Sequence, residues 1–479
     1  MSRLLTCFTA TLLSASLLAG CTSSPTQNAN SPLASLARLD SAAPERRSLD
    51  IQHWHTTGGS NVLFVQAPEL PMFDIRLTFA AGSSQDGHQP GLAGLTNALL
   101  DQGTTGKSAD QIALSLENLG AQLSTGSYRD MAVVSLRSLS DPALSEPALQ
   151  LLTEVIGQPA FRPRDIERLK NQLQAGFEHQ QKDPGTLANQ ALFADLYGDH
   201  PYAHPSAGTP DSIRAITRSQ LQDFYRRHYS AGNLTLALVG DLDRSRAEQI
   251  AERISQALPQ GAAIPAVAQP AAPSASQRHI NFDSSQTHIL LAQLAVERGH
   301  PDYPALYLAN QILGGSGFGS RLMEEVREKR GLTYGIYSML SPMQAPGPFM
   351  ISVQTRAELS QATLEFVQQL LREFVEQGPT ADELTTSKRE ILGSFPLSAA
   401  SNSAIVGQLG AIGFYGLPLS WQDDFIRDIE QLELATVRDA VQRHLQPDAL
   451  TIITLGPDVD QLPLPEAVER AGQPDGVRH

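Results

Sequence analysis

Residues 90–104 read Pro-Gly-Leu-Ala-Gly-Leu-Thr-Asn-Ala-Leu-Leu-Asp-Gln-Gly-Thr. Leu92, Leu95, Leu99 and Leu100 share one helical face, and Gly103 is placed to stop the helix. Just upstream, Phe73, Ile75, Leu77 and Phe79 alternate with Asp74, Arg76 and Thr78, the period of a strand. A strand, a loop and a short apolar helix closed by Gly-Thr therefore open the folded body. Around this core, residues 61–66 form another strand, expected to pair with residues 73–80 across the Pro-containing segment 67–71. Ser108 and Gln111 suit a capping box, and Ile112, Leu116 and Leu119 make the buried stripe of the helix that follows. Residues 120–123 and 131–136 read as strands, and 147–156 and 164–180 as helices. Helix 219–228, strand 234–239 and helix 245–258 close this half.

The second half repeats the first. His228 answers to His444, Thr235 to Thr451 and Gly240 to Gly456, at a constant offset (444 − 228 = 216; 456 − 240 = 216). Lys170 and Phe177 answer to Lys388 and Phe395 (388 − 170 = 218; 395 − 177 = 218). Self-similarity of this kind marks a duplicated domain, and each copy mixes strands with pairs of helices. Residues 360–377 carry the clearest stripe, Phe366, Val367, Leu370, Leu371, Phe374 and Val375, stopped by Gly378-Pro379. Residues 259–276, rich in Ala, Pro, Gln and Ser, read as the link between the copies.

The strand–loop–helix of residues 73–104 resembles the zinc helix of the pitrilysin/insulinase-type metallopeptidases, the group that includes mitochondrial processing peptidase. There the helix reads roughly Gly-Leu-Ala-His-x-x-Glu-His, with Gly-Thr soon after. Two His at i and i+4 hold zinc on one face, and the Glu activates the bound water. Here those positions are Gly94, Asn97 and Ala98. Glycine and alanine have no ligand atom, and Asn97 cannot take a proton from water. The resemblance puts the third ligand, a Glu in the family, near Gln174. Glu178 and His179, one turn later, read as solvated helix residues, since Ala175 stands where a first His would be needed. His200 and His204 also lie at i and i+4, but Pro201 and Pro205 rule out a regular helix there.

In the second half the segment Arg-Leu-Met-Glu-Glu-Val-Arg-Glu-Lys-Arg-Gly-Leu-Thr-Tyr, residues 321–334, resembles the family stretch whose Arg and Tyr hold a substrate carbonyl at the partner half's zinc site. These fall on Arg327 and Tyr334, donors able to stabilise charge on that oxygen. The plain alternative is a helix surface, with Arg327 pairing Glu324 or Glu325 and Tyr334 in the core. The resemblance also implies that strand 120–123 is the edge on which substrate lies. The glycine cluster of residues 314–319 lacks a Gly-Lys-Ser/Thr ending and Rossmann spacing; the resemblance implies that it is a turn between helices. No Gly-x-Ser-x-Gly elbow occurs.

The 479-residue chain is too long for one core, and its acidity (35 − 50 = −15) disfavours nucleic-acid binding. Arg3 and the short apolar run 4–18 form a secretory signal, too short to span a membrane. It ends Leu18-Ala19-Gly20-Cys21, which looks like a bacterial lipoprotein box, implying acylation of Cys21; Thr22 after it points to the outer membrane, facing the periplasm. The alternative is an ordinary cleaved signal with a chance Cys. Cys7 leaves with the signal, so no intrachain disulfide is possible.

The expected domains are a signal at 1–20, a flexible tether at 21–45, a first peptidase-like domain at 46–258, a linker at 259–278 and a second domain at 279–465. The expected fold is α+β: a duplicated metallopeptidase-like clamshell, each half an antiparallel-rich sheet with helices packed on one side. The expected function is that of a non-catalytic subunit of a two-chain zinc peptidase. This chain would carry no cofactor. A zinc-carrying family member would be its partner in a hetero-oligomer, a peptide its substrate, and a lipid anchor its one contact with membrane. The alternatives are a peptide-binding scaffold without proteolysis, and an active zinc peptidase with displaced ligands.

Overall fold

The computed structural model describes residues 48–468, which lie within one compact unit. The signal, Cys21 and the tether lie outside the described residues. No helix among the described residues is long and apolar enough to cross a membrane.

The first sheet contains β1 (Gln52–His55), β2 (Asn61–Gln66), β3 (Met72–Phe79), β4 (Gln122–Ser127), β5 (Ala132–Leu139) and β6 (Leu234–Gly240), in the order β1-β2-β6-β3-β5-β4. β2 runs parallel to β6, and the other pairings are antiparallel. The expected direct pairing of β2 with β3 is therefore corrected: β6 lies between them. The reason is burial. β6 reads Leu-Thr-Leu-Ala-Leu-Val-Gly and is buried along its whole length. A strand apolar on both faces belongs in the middle of a sheet.

The second sheet contains β7 (Ser276–Asn281), β8 (Gln286–Leu294), β9 (Ile336–Leu340), β10 (Pro348–Arg356) and β11 (Thr451–Gly456), in the order β7-β11-β8-β10-β9. This repeats β2-β6-β3-β5-β4, down to the register. Thr235 faces Asn61 and Gly240 faces Gln66 in the first sheet; Thr451 faces Ser276 and Gly456 faces Asn281 in the second.

The first copy supplies helices α1 (Leu92–Leu99), α2 (Ala109–Asn118), α3 (Pro142–Gly157), α4 (Pro163–Gln180), α5 (Pro184–Tyr197), α6 (Pro210–Ala215), α7 (Arg218–His228) and α8 (Arg244–Ala257). The second supplies α9 (Tyr303–Asn310), α10 (Ser360–Gln377), α11 (Ala381–Ser394), α12 (Asn402–Tyr415), α13 (Trp421–Gln431) and α14 (Leu434–His444). The capping box of α2 forms as expected, Ser108 Oγ accepting from Gln111 N and Gln111 Oε1 from Ser108 N. Helix α3 begins before the expected Pro147, because Asp141 caps it and Pro142 fits its first turn. The paired lysines do the same work in each copy. Lys170 Nζ donates to the Arg214 and Ile216 carbonyls at the end of α6, and Lys388 Nζ to those of Glu430 and Leu432 at the end of α13. Each satisfies carbonyls that a helix end leaves without partners.

Each sheet packs most of its own helices on one face. Val62, Phe64, Phe73, Ile75, Leu77 and Phe79 meet α1, α3, α4, α7 and α8 there. The other face receives a helix from the opposite copy. Ile405, Val406, Leu409 and Ile412 of α12 pack on Leu63, Val65, Ala237 and Val239 of the first sheet. Ala188, Leu192 and Leu196 of α5 pack on Leu290, Ala292, Ile453 and Leu455 of the second. The two helices are themselves counterparts, starting at the offset of the lysines (402 − 184 = 218). The junction is also polar at one point: buried Asp130, in the β4–β5 turn, accepts from Tyr202 Oη, from Gln344 N at 2.8 Å and from Tyr415 Oη at 3.1 Å. Its donors come from both copies, so the halves are clasped rather than strung together. The linker is pinned as well, with Ile264 N donating to Asn233 Oδ1 and Val267 N to Gln344 Oε1.

Candidate functional site

Helix α1 begins at Gly91, whose φ of 91° is left-handed backbone that favours glycine. A Cβ there would also lie 2.6 Å from Ile213 Cδ1. The start of α1 is held by Asp86, whose two carboxylate oxygens accept from Gly91 N (2.8 Å) and Ala93 N (2.6 Å). Burial pushes the Asp86 carboxyl up to about 7, against the pull of those two backbone donors. His204 Nδ1 is 3.9 Å from Asp86 Oδ2, and burial holds His204 below the usual histidine range. The sequence reading missed this carboxylate. The signal was the Asp86-Gly87 turn pair before the helix.

The three positions of the expected motif diverge. Gly94 and Ala98 are half-buried on one side of α1, and a Cβ at Gly94 would stand 3.5 Å from the Ser206 carbonyl oxygen. Asn97 is buried, and its Nδ2 donates to the Val133 carbonyl (3.3 Å) and to Tyr229 Oη (3.1 Å). Gln174 turns toward α6: its Nε2 donates to the Pro210 carbonyl (2.9 Å) and its Oε1 accepts from Arg214 (3.3 Å). A zinc ion needs three ligand atoms converging on one point. Two of these side chains offer none, and the two amides are committed to backbone and side-chain partners elsewhere. The set does not fit a zinc ion. Glu178 and His179 are exposed on α4. His200 bonds the Ala268 carbonyl while His204 sits by Asp86, so the two do not form a ligand pair.

Arg327 and Tyr334 do come together. Both line an open cleft of about 750 Å³, with Gln286, Glu328, Thr333 and Arg356 among its walls. Arg327 lies in a wide helical turn, Met323–Glu328, with its guanidinium 4.5 Å from the Phe318 ring centre and 3.4 Å from Glu328 Oε1. The expected alternative partners are taken: Glu324 pairs with Lys329, and Glu325 with Lys329 and Arg330. Tyr334 is 90% exposed, not in the core. Its loop is nonetheless fixed. Leu332 and Ile336 are buried on either side, Thr333 Oγ1 donates to the Gln354 carbonyl (2.7 Å), and Thr355 Oγ1 donates to that of Leu332 (2.6 Å). The loop is thus held in place while the Tyr334 phenol faces solvent. Among the described residues β4 pairs with β5 alone, on one edge.

Comparison with known proteins points to one family. The family described as "Insulinase (Peptidase family M16)" matches residues 61–210, and that described as "Peptidase M16 inactive domain" matches residues 215–391. A non-peptidase homolog, YmxG, of Helicobacter pylori is 27% identical over 395 residues, covering 81% of this chain and 90% of that protein. An uncharacterized zinc protease of Streptomyces coelicolor is 26% identical over 420 residues, covering 84% and 89% respectively. The crystal structure of a peptidase M16 inactive domain from Pseudomonas fluorescens superposes with a TM-score of 0.85 at 55% identity, covering 87% of this chain and all of that one.

Proposed function

The chain belongs to the insulinase family, peptidase family M16, and from that premise we propose that it is the non-catalytic subunit of a two-chain zinc peptidase. One contrast carries this reading. The residues at the zinc positions, Gly94, Asn97, Ala98 and Gln174, offer no ligand set, while Arg327 and Tyr334 stand together in an open cleft. A partner of the same family would bring zinc and its water-activating Glu. This chain would bring two donors for the substrate carbonyl and one wall of the chamber. A guanidinium and a phenol aimed at that oxygen stabilise the charge that develops on it as water adds. The free edge of β4 offers backbone pairing for an extended peptide. In this reading the complex is held at the outer membrane, facing the periplasm, by acyl chains on Cys21.

The test is to mix the purified chain with a zinc-carrying family member from the same organism and to follow cleavage of a quenched fluorescent peptide. Cleavage should need both chains. Replacing Arg327→Ala together with Tyr334→Phe should reduce it by about 10²-fold, the scale of losing an oxyanion donor. Tyr334 is exposed but Arg327 is half-buried against Phe318 and Glu328, so circular dichroism must show that the double variant is folded. Undiminished cleavage by the double variant would remove the substrate-holding role. Peptide binding by the chain alone, with no cleavage in any mixture, would favour a peptide-binding scaffold instead.

A further inference from the structure

The second half carries a cluster that the reading above does not use. His300 and Asp302 lie in the turn that leads into α9, and His444 is the last residue of α14. Among the described residues these three form the one group of histidine, cysteine or acidic side chains whose ligand atoms all lie within 4.8 Å of one another. His444 Nε2 is 2.8 Å from Asp302 Oδ2, and the two imidazole rings meet edge to face with centres 5.0 Å apart. All three residues are half-buried. We propose that His300, Asp302 and His444 form a binding site for a divalent cation of the zinc class, separate from the helix α1 region.

Two imidazoles and one carboxylate suit zinc, cobalt and nickel; calcium and magnesium prefer oxygen alone. Around a tetrahedral zinc, ligand atoms stand about 3.4 Å apart. Here one pair stands 2.8 Å apart and all three ligand atoms lie within 4.8 Å of one another, so small rotations suffice to close them on an ion. Two present contacts compete. Arg443 donates to Asp302 Oδ2 at 3.0 Å, and Asp302 N donates to His300 Nδ1 at 3.1 Å. Metal binding displaces the first and loosens the second. The site therefore binds more weakly than a closed structural zinc site, and its fourth position is left to water.

The duplication separates this site from anything the two halves share. The counterpart of His444 is His228, which is buried, stacks on Phe224 with ring centres 4.0 Å apart, and bonds the Phe224 carbonyl. Among the described residues the cluster is therefore present in one copy only. Its position has a mechanical consequence. α9 packs on α14 and continues through the wide turn Gln311–Gly315 toward the segment that bears Arg327. An ion here ties the start of that segment to the end of α14.

The test uses the full chain, stripped with chelator and titrated calorimetrically with zinc chloride alone. One equivalent should bind, and zinc should raise the melting temperature. His444→Gln and Asp302→Asn should each weaken binding by about tenfold or more and abolish the rise. Arg443→Gln removes the competing cation and should bind zinc at least as tightly as the wild type. Circular dichroism establishes that each variant is folded. Should His444→Gln fail to fold, His300→Gln takes its place. No bound zinc, equal affinity in the ligand variants (as adventitious binding at exposed histidines such as His179 would give), or weaker binding by Arg443→Gln overturns the proposal.

Discussion

Asn97 and Asp86 are two polar side chains that hold helix α1 in place, one from within it and one from the turn before it. Asn97 ties α1 to the Val133 carbonyl and to Tyr229 Oη, so its amide is a packing device between helix, sheet and the end of α7. A carboxylate in that place would have no proton to give the Val133 carbonyl, and Tyr229 Oη would be left as the donor to a buried charge. Asp86 does carry a buried carboxyl, and its elevation to about 7 from 3.8 has a direct thermodynamic consequence. A group that holds its proton more tightly when folded stabilises the fold most at low pH. That contribution is fully present below the unfolded value and is lost as pH rises through the folded one. Asp86 therefore costs stability progressively between about pH 4 and about pH 7, by at most about 4 kcal/mol. His204 works the other way, since its lowered value costs stability as pH falls. Comparison of the wild type with Asp86→Asn isolates the first effect. Melting temperatures from pH 4.5 to pH 8 should show the wild type losing ground to the variant as pH rises; parallel curves would contradict the assignment.

At the scale of elements, the feature that most shapes the molecule is the exchange of α5 and α12. Helix α12 lies close on the first sheet because of its glycines. A Cβ at Gly413 would fall 2.5 Å from Leu63 Cδ1 and 2.6 Å from Thr235 Cγ2, and one at Gly410 would fall 2.8 Å from Arg76 Cδ. Gly407, on the same helix, faces open space. Gly413→Ala should thus destabilise the protein by about 1–3 kcal/mol through overpacking. Gly407→Ala should be neutral or stabilising by up to about 1 kcal/mol, because alanine is the better helix former. Urea denaturation of the two variants checks the contrast, and equal effects would refute it. Local elements were legible where chemistry is local. The Ser108–Gln111 box, the stripe of residues 360–377 and the alternation of Phe73 to Phe79 all stand as their spacing implies. The repeat offset carried further, into identical strand registers in both sheets. Long-range choices were not legible. Periodicity says that Leu409 is buried, not which sheet buries it. Nothing in the 67–71 segment announces that β6 enters between β2 and β3. The cluster of His300, Asp302 and His444 has no signature in sequence spacing either. Asp302 and His444 are 142 residues apart and meet only because α9 packs on α14.

For the whole molecule, duplication and exchange give one clasped body with two different faces of chemistry. In the proposed reading the first half keeps the frame of a zinc helix, with Gly94 and Ala98 at the two His positions and Asn97 at that of the water-activating Glu. The second half keeps Arg327 and Tyr334 in an open cleft. In the proposed complex this body is one shell, and the partner that carries the zinc is the other. The central claim is that no catalytic metal can be held beside α1. Crystals of the isolated chain grown with zinc, measured at the zinc absorption edge, test it most directly. The account predicts no anomalous peak near Gly94, Asn97, Ala98 and Gln174, whether or not one stands between His300, Asp302 and His444. A fully occupied peak at helix α1 would contradict it.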